Sequence, residues 1–309
     1  MKSNTDEWAQ TSPYDRYFDF IAPRANRYAI LLERVETLNL NSAVILVEGN
    51  RHIFIFPHGH KSLRAAHGVF PFKGQSPFLL CAHYDRVDGS PGANDNSIAV
   101  FQLLDAALAL SRRGIDRWII VFTDKEELKA GESFEAQGSY SLAEKLKSWG
   151  LEKAKIYNFD ACGRGGAFIF STTTDVILSD SGSQNIRNLR EAVAHLRDHA
   201  LVSANSLRLD KVLLAPTPFS DDAGFLRAGL AAQTVTMLPA EEAAAYETLL
   251  RSRPDFANLL ITGGIKIPAN RRRLPETWRK LNSEQDTPSR LTPEFFQQVV
   301  RFIVELCAN

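Results

Sequence analysis

The chain has 309 residues, 44% of them hydrophobic and 23% charged, which is the balance of a globular protein with ample apolar material for a core. Its 36 Lys plus Arg offset 36 Asp plus Glu, so the formal net charge is zero and nucleic acid is not an expected partner. Apolar runs such as Ala43–Val47, Phe78–Ala82 and Trp118–Phe122 are short, against the roughly 20 residues of a spanning helix, so no membrane partner is expected either.

The first 13 residues are polar and read as loose, with no apolar signal segment in Met1–Glu7. Cys81, Cys162 and Cys307 make neither a disulfide framework nor a CxxC knuckle, so a cytoplasmic setting is expected. From Pro23 to about Leu38, Ala25, Tyr28, Ala29, Leu32 and Val35 recur at helical spacing. Ala43–Val47 and Ile53–Phe56, joined by Glu48-Gly49-Asn50-Arg51, read as a hairpin.

Apolar runs then alternate with helical patterns: strand Phe78–Ala82, helix Ile98–Leu110, strand Trp118–Phe122, helix Ser139–Trp149 and strand Lys155–Phe159. A helix near Ser183–His199, a strand at Thr234–Leu238 and a helix from Pro293 to Leu306 follow. Continuously apolar strands spaced by helices predict a three-layer α/β fold, with a mostly parallel sheet between helices and a front hairpin that makes it mixed. A single domain over 1–309 is expected, with an Arg- and Pro-rich excursion at 239–290 that lacks a clear strand. Arg271-Arg272-Arg273 within it reads as a solvated run.

Ligands of open α/β sheets bind beyond the carboxyl ends of the strands. After Phe78–Ala82 comes His83-Tyr84-Asp85, and Gly92-Ala93-Asn94-Asp95-Asn96-Ser97 then leads into a helix. After Trp118–Phe122 comes Thr123-Asp124-Lys125-Glu126-Glu127, and after Lys155–Phe159 comes Asp160. Each residue alone has a plainer explanation: a core histidine, a helix cap at Asp95, a solvated glutamate pair, a turn aspartate. Four separate strand ends and loops each offering a metal-type ligand favour a cation site, because so many carboxylates at one edge repel one another unless neutralised. His195 and His199 stand four apart but lack the glutamate of a zinc-binding helix, and read as a surface pair. His58-Gly59-His60 has no carboxylate beside it.

His83-x-Asp85, Gly92–Ser97, Glu126-Glu127 and Asn158-Phe159-Asp160 together resemble the two-zinc aminopeptidases, a family that includes bacterial leucyl aminopeptidases and the related glutaminyl cyclases. Ser220-Asp221-x-x-x-Phe225-Leu226 resembles the family's Ser-Asp-His-x-x-Phe element. Asn282-Ser283-Glu284-Gln285-Asp286-Thr287 resembles its His-Thr-x-x-Asp-Thr element. The resemblance implies that Asp95 bridges two zinc ions, that His83 and Asp160 complete one site, and that Glu127 serves the other. It further implies that Asp85 orients His83, that Glu126 shuttles a proton, and that the Asp95–Asn96 peptide is cis. The substrate it implies is a peptide with a free N-terminus.

Two positions depart from the family. Asn282 stands where the second zinc's histidine belongs, and Asp222 replaces the histidine of Ser-Asp-His. An alignment through Trp278 would instead put Arg279, a cation, at the first of these positions. One zinc held firmly at His83, Asp95 and Asp160 is therefore expected, with a second weak or absent at Asp95, Glu127 and Asn282, where manganese or magnesium are alternatives. A metal-dependent aminopeptidase is the leading expectation. A non-catalytic peptide- or partner-binding relative is the alternative, and glutaminyl cyclase-like transfer is third.

Overall fold

A computed structural model of the chain describes residues 18–57, 76–178, 183–261 and 268–309. The polar N-terminal stretch and His58-Gly59-His60 lie outside these residues. After a short turn of helix α1 (Phe18–Ile21), helix α2 spans Arg27–Thr37, with the Asn26 side chain accepting from the Ala29 N–H at its start. The helix thus begins four residues after Pro23. Its buried stripe is Arg27, Leu31 and Val35; of the residues read from the pattern Val35 is buried, Tyr28 and Leu32 pack half-buried against the core and Ala29 is exposed, because the inward face includes a charged residue.

Strands β1 (Asn41–Val47) and β2 (Asn50–Phe56) form the expected antiparallel hairpin. There follow β3 (Phe78–His83), α3 (Ile98–Arg112), β4 (Trp118–Thr123), α4 (Gly138–Ser148) and β5 (Lys155–Phe159). The core strands β3 and β4 are buried along their whole length, which is why they read as unbroken apolar runs. Next come β6 (Ala167–Ser171), α5 (Thr173–Ile177), α6 (Gln184–Ser206), β7 (Lys211–Ala215), α7 (Asp221–Arg227) and β8 (Ala232–Leu238). Residues 239–290 carry helices α8 (Ala240–Ser252), α9 (Phe256–Ile261), α10 (Pro268–Arg271) and α11 (Glu276–Lys280), and α12 (Phe296–Ala308) follows. Arg271, Arg272 and Arg273 are exposed.

The eight strands form one sheet in the order β1-β2-β4-β3-β5-β8-β6-β7. Pairings β4–β3–β5–β8 are parallel, while β6 runs antiparallel to β8 and parallel to β7. The sheet is therefore mixed at both ends, and β6 and β7 are additions to the sequence reading. On one face Leu80, Ile120 and Phe159 pack against Leu103 of α3, Ala200 of α6 and Phe302 of α12. On the other, Leu79, Val121 and Ile156 meet Leu142 and Leu146 of α4 and Phe225 of α7. Ile169 and Leu238 meet Tyr246 of α8 and Trp278 of α11 in a further cluster. This is the expected three-layer α/β architecture. Among the described residues no helix is long and apolar enough to cross a membrane.

Candidate metal centre

The parallel register sets the site. β3 lies between β4 and β5, with His83 level with Thr123, so the loops after all three strands leave the sheet side by side. His83 is fully buried at the end of β3. Its Nε2 lies 3.1 Å from Asp95 Oδ1 and 3.8 Å from Asp160 Oδ1, and its Nδ1 lies 3.4 Å from Asp85 Oδ1. Ligand atoms of His83, Asp95 and Asp160 all fall within 4.8 Å of one another.

The Asp95 loop is held from three directions. The N–H groups of Asn94 and Asp95 donate to Asp286 Oδ1 and Oδ2 at 2.9 and 3.0 Å. Asn96 Nδ2 donates to the Phe159 carbonyl at 2.8 Å, and the Gly163 N–H donates to Asn94 Oδ1 at 2.8 Å. The Asp95–Asn96 peptide is cis, as the resemblance implies. The Asp85 carboxylate receives the N–H groups of Glu126 and Glu127, each at 3.1 Å, and so ties the loop after β4 to the histidine. Gln137 Nε2 donates to Glu126 Oε1 at 3.1 Å and to the Glu126 carbonyl at 3.2 Å.

The charges are out of balance without a cation. Burial pushes the Glu127 carboxyl up to about 9, with Asp95 adding to the effect, and burial together with Glu127 and Asp160 raises Glu126 well above its ordinary range. Burial and the neighbouring Asp160 raise Asp95 too. Burial alone would lower His83, but Asp160, Asp85 and Asp95 overcome it and hold the ring strongly toward imidazolium. Asp85 moves the other way: burial would raise it, but His83 and the two backbone donors outweigh that and lower it. Both ring nitrogens of His83, Oδ1 of Asp160 and Oε1 of Glu127 are buried without a hydrogen-bond partner. Unpartnered carboxylate oxygens beside a histidine in a buried acidic cluster are what a cation would satisfy, and the His-Asp-Asp ligand set suits zinc. The residues present fit the metal.

The remaining candidates are placed differently. Asn282 is exposed, with a left-handed backbone φ of 58°. Asp222 is buried, and its Oδ1 accepts from the Ser220 N–H at 3.0 Å. Arg279 is half-buried, with an unpartnered Nε. His195 is exposed, but His199 is not its surface partner: its Nδ1 lies 3.0 Å from the Tyr157 hydroxyl and its ring stacks on Phe78.

Residues 68–306 match peptidase family M28. The chain belongs to this family. No curated relative matches it at the sequence level. Among solved structures, the M28 chain is similar to a glutaminyl cyclase from Bacteroides thetaiotaomicron bound to N-acetylhistamine, with 15% identity, 96% of this chain and 95% of that chain covered, and a TM-score of 0.59. Glutaminyl cyclase from Porphyromonas gingivalis gives 14% identity, 96% of each chain and 0.59. A zinc aminopeptidase from Bacillus subtilis gives 17% identity, 83% of this chain, 48% of that chain and 0.50. At these identities the likeness is one of fold. The chain spans about half the length of the Bacillus aminopeptidase.

Three residues that hydrogen-bond around this cluster escaped the sequence reading. Gln137 orients Glu126, Asp286 anchors the Asp95 loop, and Asp221 accepts from the Thr123 hydroxyl at 2.5 Å beneath the β4 loop. Asp221 and Asp286 sat inside quoted motifs, so their spacing was visible, but their partners lie on other elements. Gln137 carried no signal.

Proposed function

We propose that the chain is a metal-dependent exopeptidase that removes N-terminal residues from peptides. The observation carrying this reading is the convergence of His83, Asp95 and Asp160 at the carboxyl edge of the sheet, with Glu126 held on the adjacent loop by Asp85 and Gln137. Zinc at His83, Asp95 and Asp160, with a weaker second cation at Asp95, Glu127 and Asn282, would polarise the substrate carbonyl and acidify the attacking water. Glu126 would take a proton from that water and deliver it to the departing amine. Asp85 orients His83 through Nδ1 and fixes which nitrogen faces the metal. A cytoplasmic setting, suggested by three free and buried cysteines, belongs to the same proposal.

The test is zinc stoichiometry together with turnover of amino-acid arylamides. Wild type should bind zinc and hydrolyse them. His83→Ala should lose the metal, and Glu126→Gln should keep the metal and lose turnover. A wild type that holds zinc without hydrolysing any N-terminally free peptide would overturn the peptidase reading, in favour of a binding module where no ammonia is released from glutaminyl peptides either. A second reading is favoured by one observation, the near-complete mutual coverage with the cyclases against half coverage of the aminopeptidase. Ammonia release from N-terminal glutaminyl peptides, without arylamide hydrolysis, would select it.

A further inference from the structure

Arg27 lies outside the residues matched to family M28, yet it places a buried guanidinium against both loops that carry the metal ligands. It opens α2 and is 5% exposed. Its Nη1 donates to the carbonyls of Tyr84 and Asp85, each at 3.1 Å, in the loop that leaves His83. Its Nη2 donates to the carbonyls of Pro91 and Gly92 at 2.8 and 3.1 Å and to Ser97 Oγ at 2.7 Å, in the stretch that contains Asp95. Nε donates to the Phe20 carbonyl at 3.3 Å, and the guanidinium carbon sits 4.7 Å from the centre of the Phe20 ring.

The loop is built around this group. Arg86 reaches back from it to the carbonyls of Ile21 and Ala22, each at 2.9 Å, so the N-terminal segment and the loop hold one another. Gly92 has φ 60°, and a Cβ there would lie 2.8 Å from Arg27 Nη2 and 2.7 Å from the Asp95 carbonyl oxygen. No side chain fits between the guanidinium and the Asp95 backbone.

We propose that Arg27 is a positioning residue of the metal centre, its planar fork setting the spacing between the loop that follows His83 and the loop that carries Asp95. This inference rests on the metal-centre reading above. Charge and geometry act in opposite directions here. The arginine's positive charge, offset by Asp85, Asp95 and Asp286 nearby, disfavours a second cation, whereas its hydrogen bonds hold the ligands ready for one. Lysine keeps the charge but offers a single ammonium in place of a fork. Arg27→Lys therefore isolates the geometry.

The experiment uses the full chain stripped of metal. Zinc affinity is read by competition with a chromophoric chelator, ligand geometry by the visible spectrum of the cobalt-loaded protein, and folding by the thermal melt of the apoprotein. Arg27→Lys should melt cooperatively, bind zinc roughly ten- to a hundredfold more weakly, and show an altered cobalt spectrum. If Arg27→Lys does not melt cooperatively, Ser97→Ala decides by the same readouts, since it removes one acceptor of Nη2 together with the hydroxyl's own bond to the Gly92 carbonyl, which Nη2 also holds; several-fold weaker zinc and a shifted cobalt spectrum are then expected. Zinc affinity within twofold of wild type in the deciding variant overturns the proposal and leaves the metal reading intact. Weaker zinc with an unaltered cobalt spectrum also overturns it, since general loosening would then account for the loss. A wild type that binds no zinc overturns both.

Discussion

The two carboxylate oxygens of Asp286 receive the backbone N–H groups of Asn94 and Asp95, so that Asp95 is fixed by a residue 191 positions away along the chain. Both oxygens act as acceptors in a buried place, even though burial and the neighbouring Asp95 push this carboxyl up to about 7. Asp286→Asn replaces one of them with an amide N–H₂ facing another N–H. The expected cost is about 1–3 kcal/mol of stability, from one lost hydrogen bond and one stranded donor. Zinc affinity should fall about tenfold, as for other groups that orient a metal ligand. Urea unfolding of the apoprotein and a chelator competition measure the two effects. Unchanged values in both would mean that the Asp95 loop holds its shape without Asp286.

Gly138 controls the loop on the other side of the site. It begins α4, and its N–H donates to the Lys125 carbonyl at 2.9 Å, directly before Glu126. A Cβ added there would lie 1.9 Å from the Asp124 carbonyl oxygen, which is backbone and cannot step aside alone. Gly138→Ala should therefore destabilise the protein by about 1–3 kcal/mol through overpacking. Because the displaced loop carries Glu126, turnover should fall by more than the loss of folded protein explains, while zinc at His83, Asp95 and Asp160 is retained. Denaturant unfolding, zinc content and kcat of the same preparation test this, and a kcat equal to wild type would show that the loop absorbs the methyl without moving Glu126.

Much of this arrangement is legible in the sequence, for a physical reason. β3 and β4 are covered on both faces, so they read as short apolar runs, β5 keeps enough of that pattern around Asn158 to be read too, and the polar residues that follow all three mark the candidate edge. β6 and β7 break that reading. β6 follows the Gly163–Gly166 turn with no helix before it, and most of the edge strand β7 is half-buried or exposed, which dilutes its apolar pattern. Arg27 was invisible for another reason. A charged residue on an amphipathic helix reads as solvent-facing, and it is buried only because its acceptors arrive from loops 57 to 70 positions later. His199 was misread as surface for the same reason, since Tyr157 and Phe78 reach it from the sheet.

Asn282 tests how far the second metal position survives. The residue is exposed at φ 58°, a conformation that asparagine and histidine both tolerate better than most residues. Asp286, four residues on, already touches the Asp95 backbone, so the segment runs close to the site. Asn282→His should raise zinc stoichiometry from one toward two and increase arylamide turnover, with the added imidazole at the usual zinc–nitrogen distance of roughly 2.0–2.1 Å. Stoichiometry is read by elemental analysis after dialysis. A variant that still binds one zinc would place position 282 outside the metal centre.

His52 gives the fold a dependence on pH that is separable from the metal site. It is fully buried on β2, Nδ1 accepts from the Asp124 N–H at 3.4 Å, and Nε2 has no partner. Burial lowers its pKa from the ordinary 6.5 to about 4, with Asp85 opposing the shift only in part. Above pH 6.5 the ring is neutral in both the folded and the unfolded chain, so it makes no pH-dependent contribution. Between pH 6.5 and 4 the unfolded chain takes up a proton that the folded chain refuses, so stability falls as the pH is lowered. The loss levels off below about pH 4 at about 3 kcal/mol, once the folded ring is protonated too. His52→Asn keeps an acceptor for Asp124 and removes the titration. In chelator, so that metal release does not contribute, wild type should lose about 2–3 kcal/mol more than His52→Asn between pH 7 and 4.5 in urea unfolding. Parallel curves for the two proteins would show that the folded ring takes up its proton at the same pH as the unfolded one, contrary to its burial.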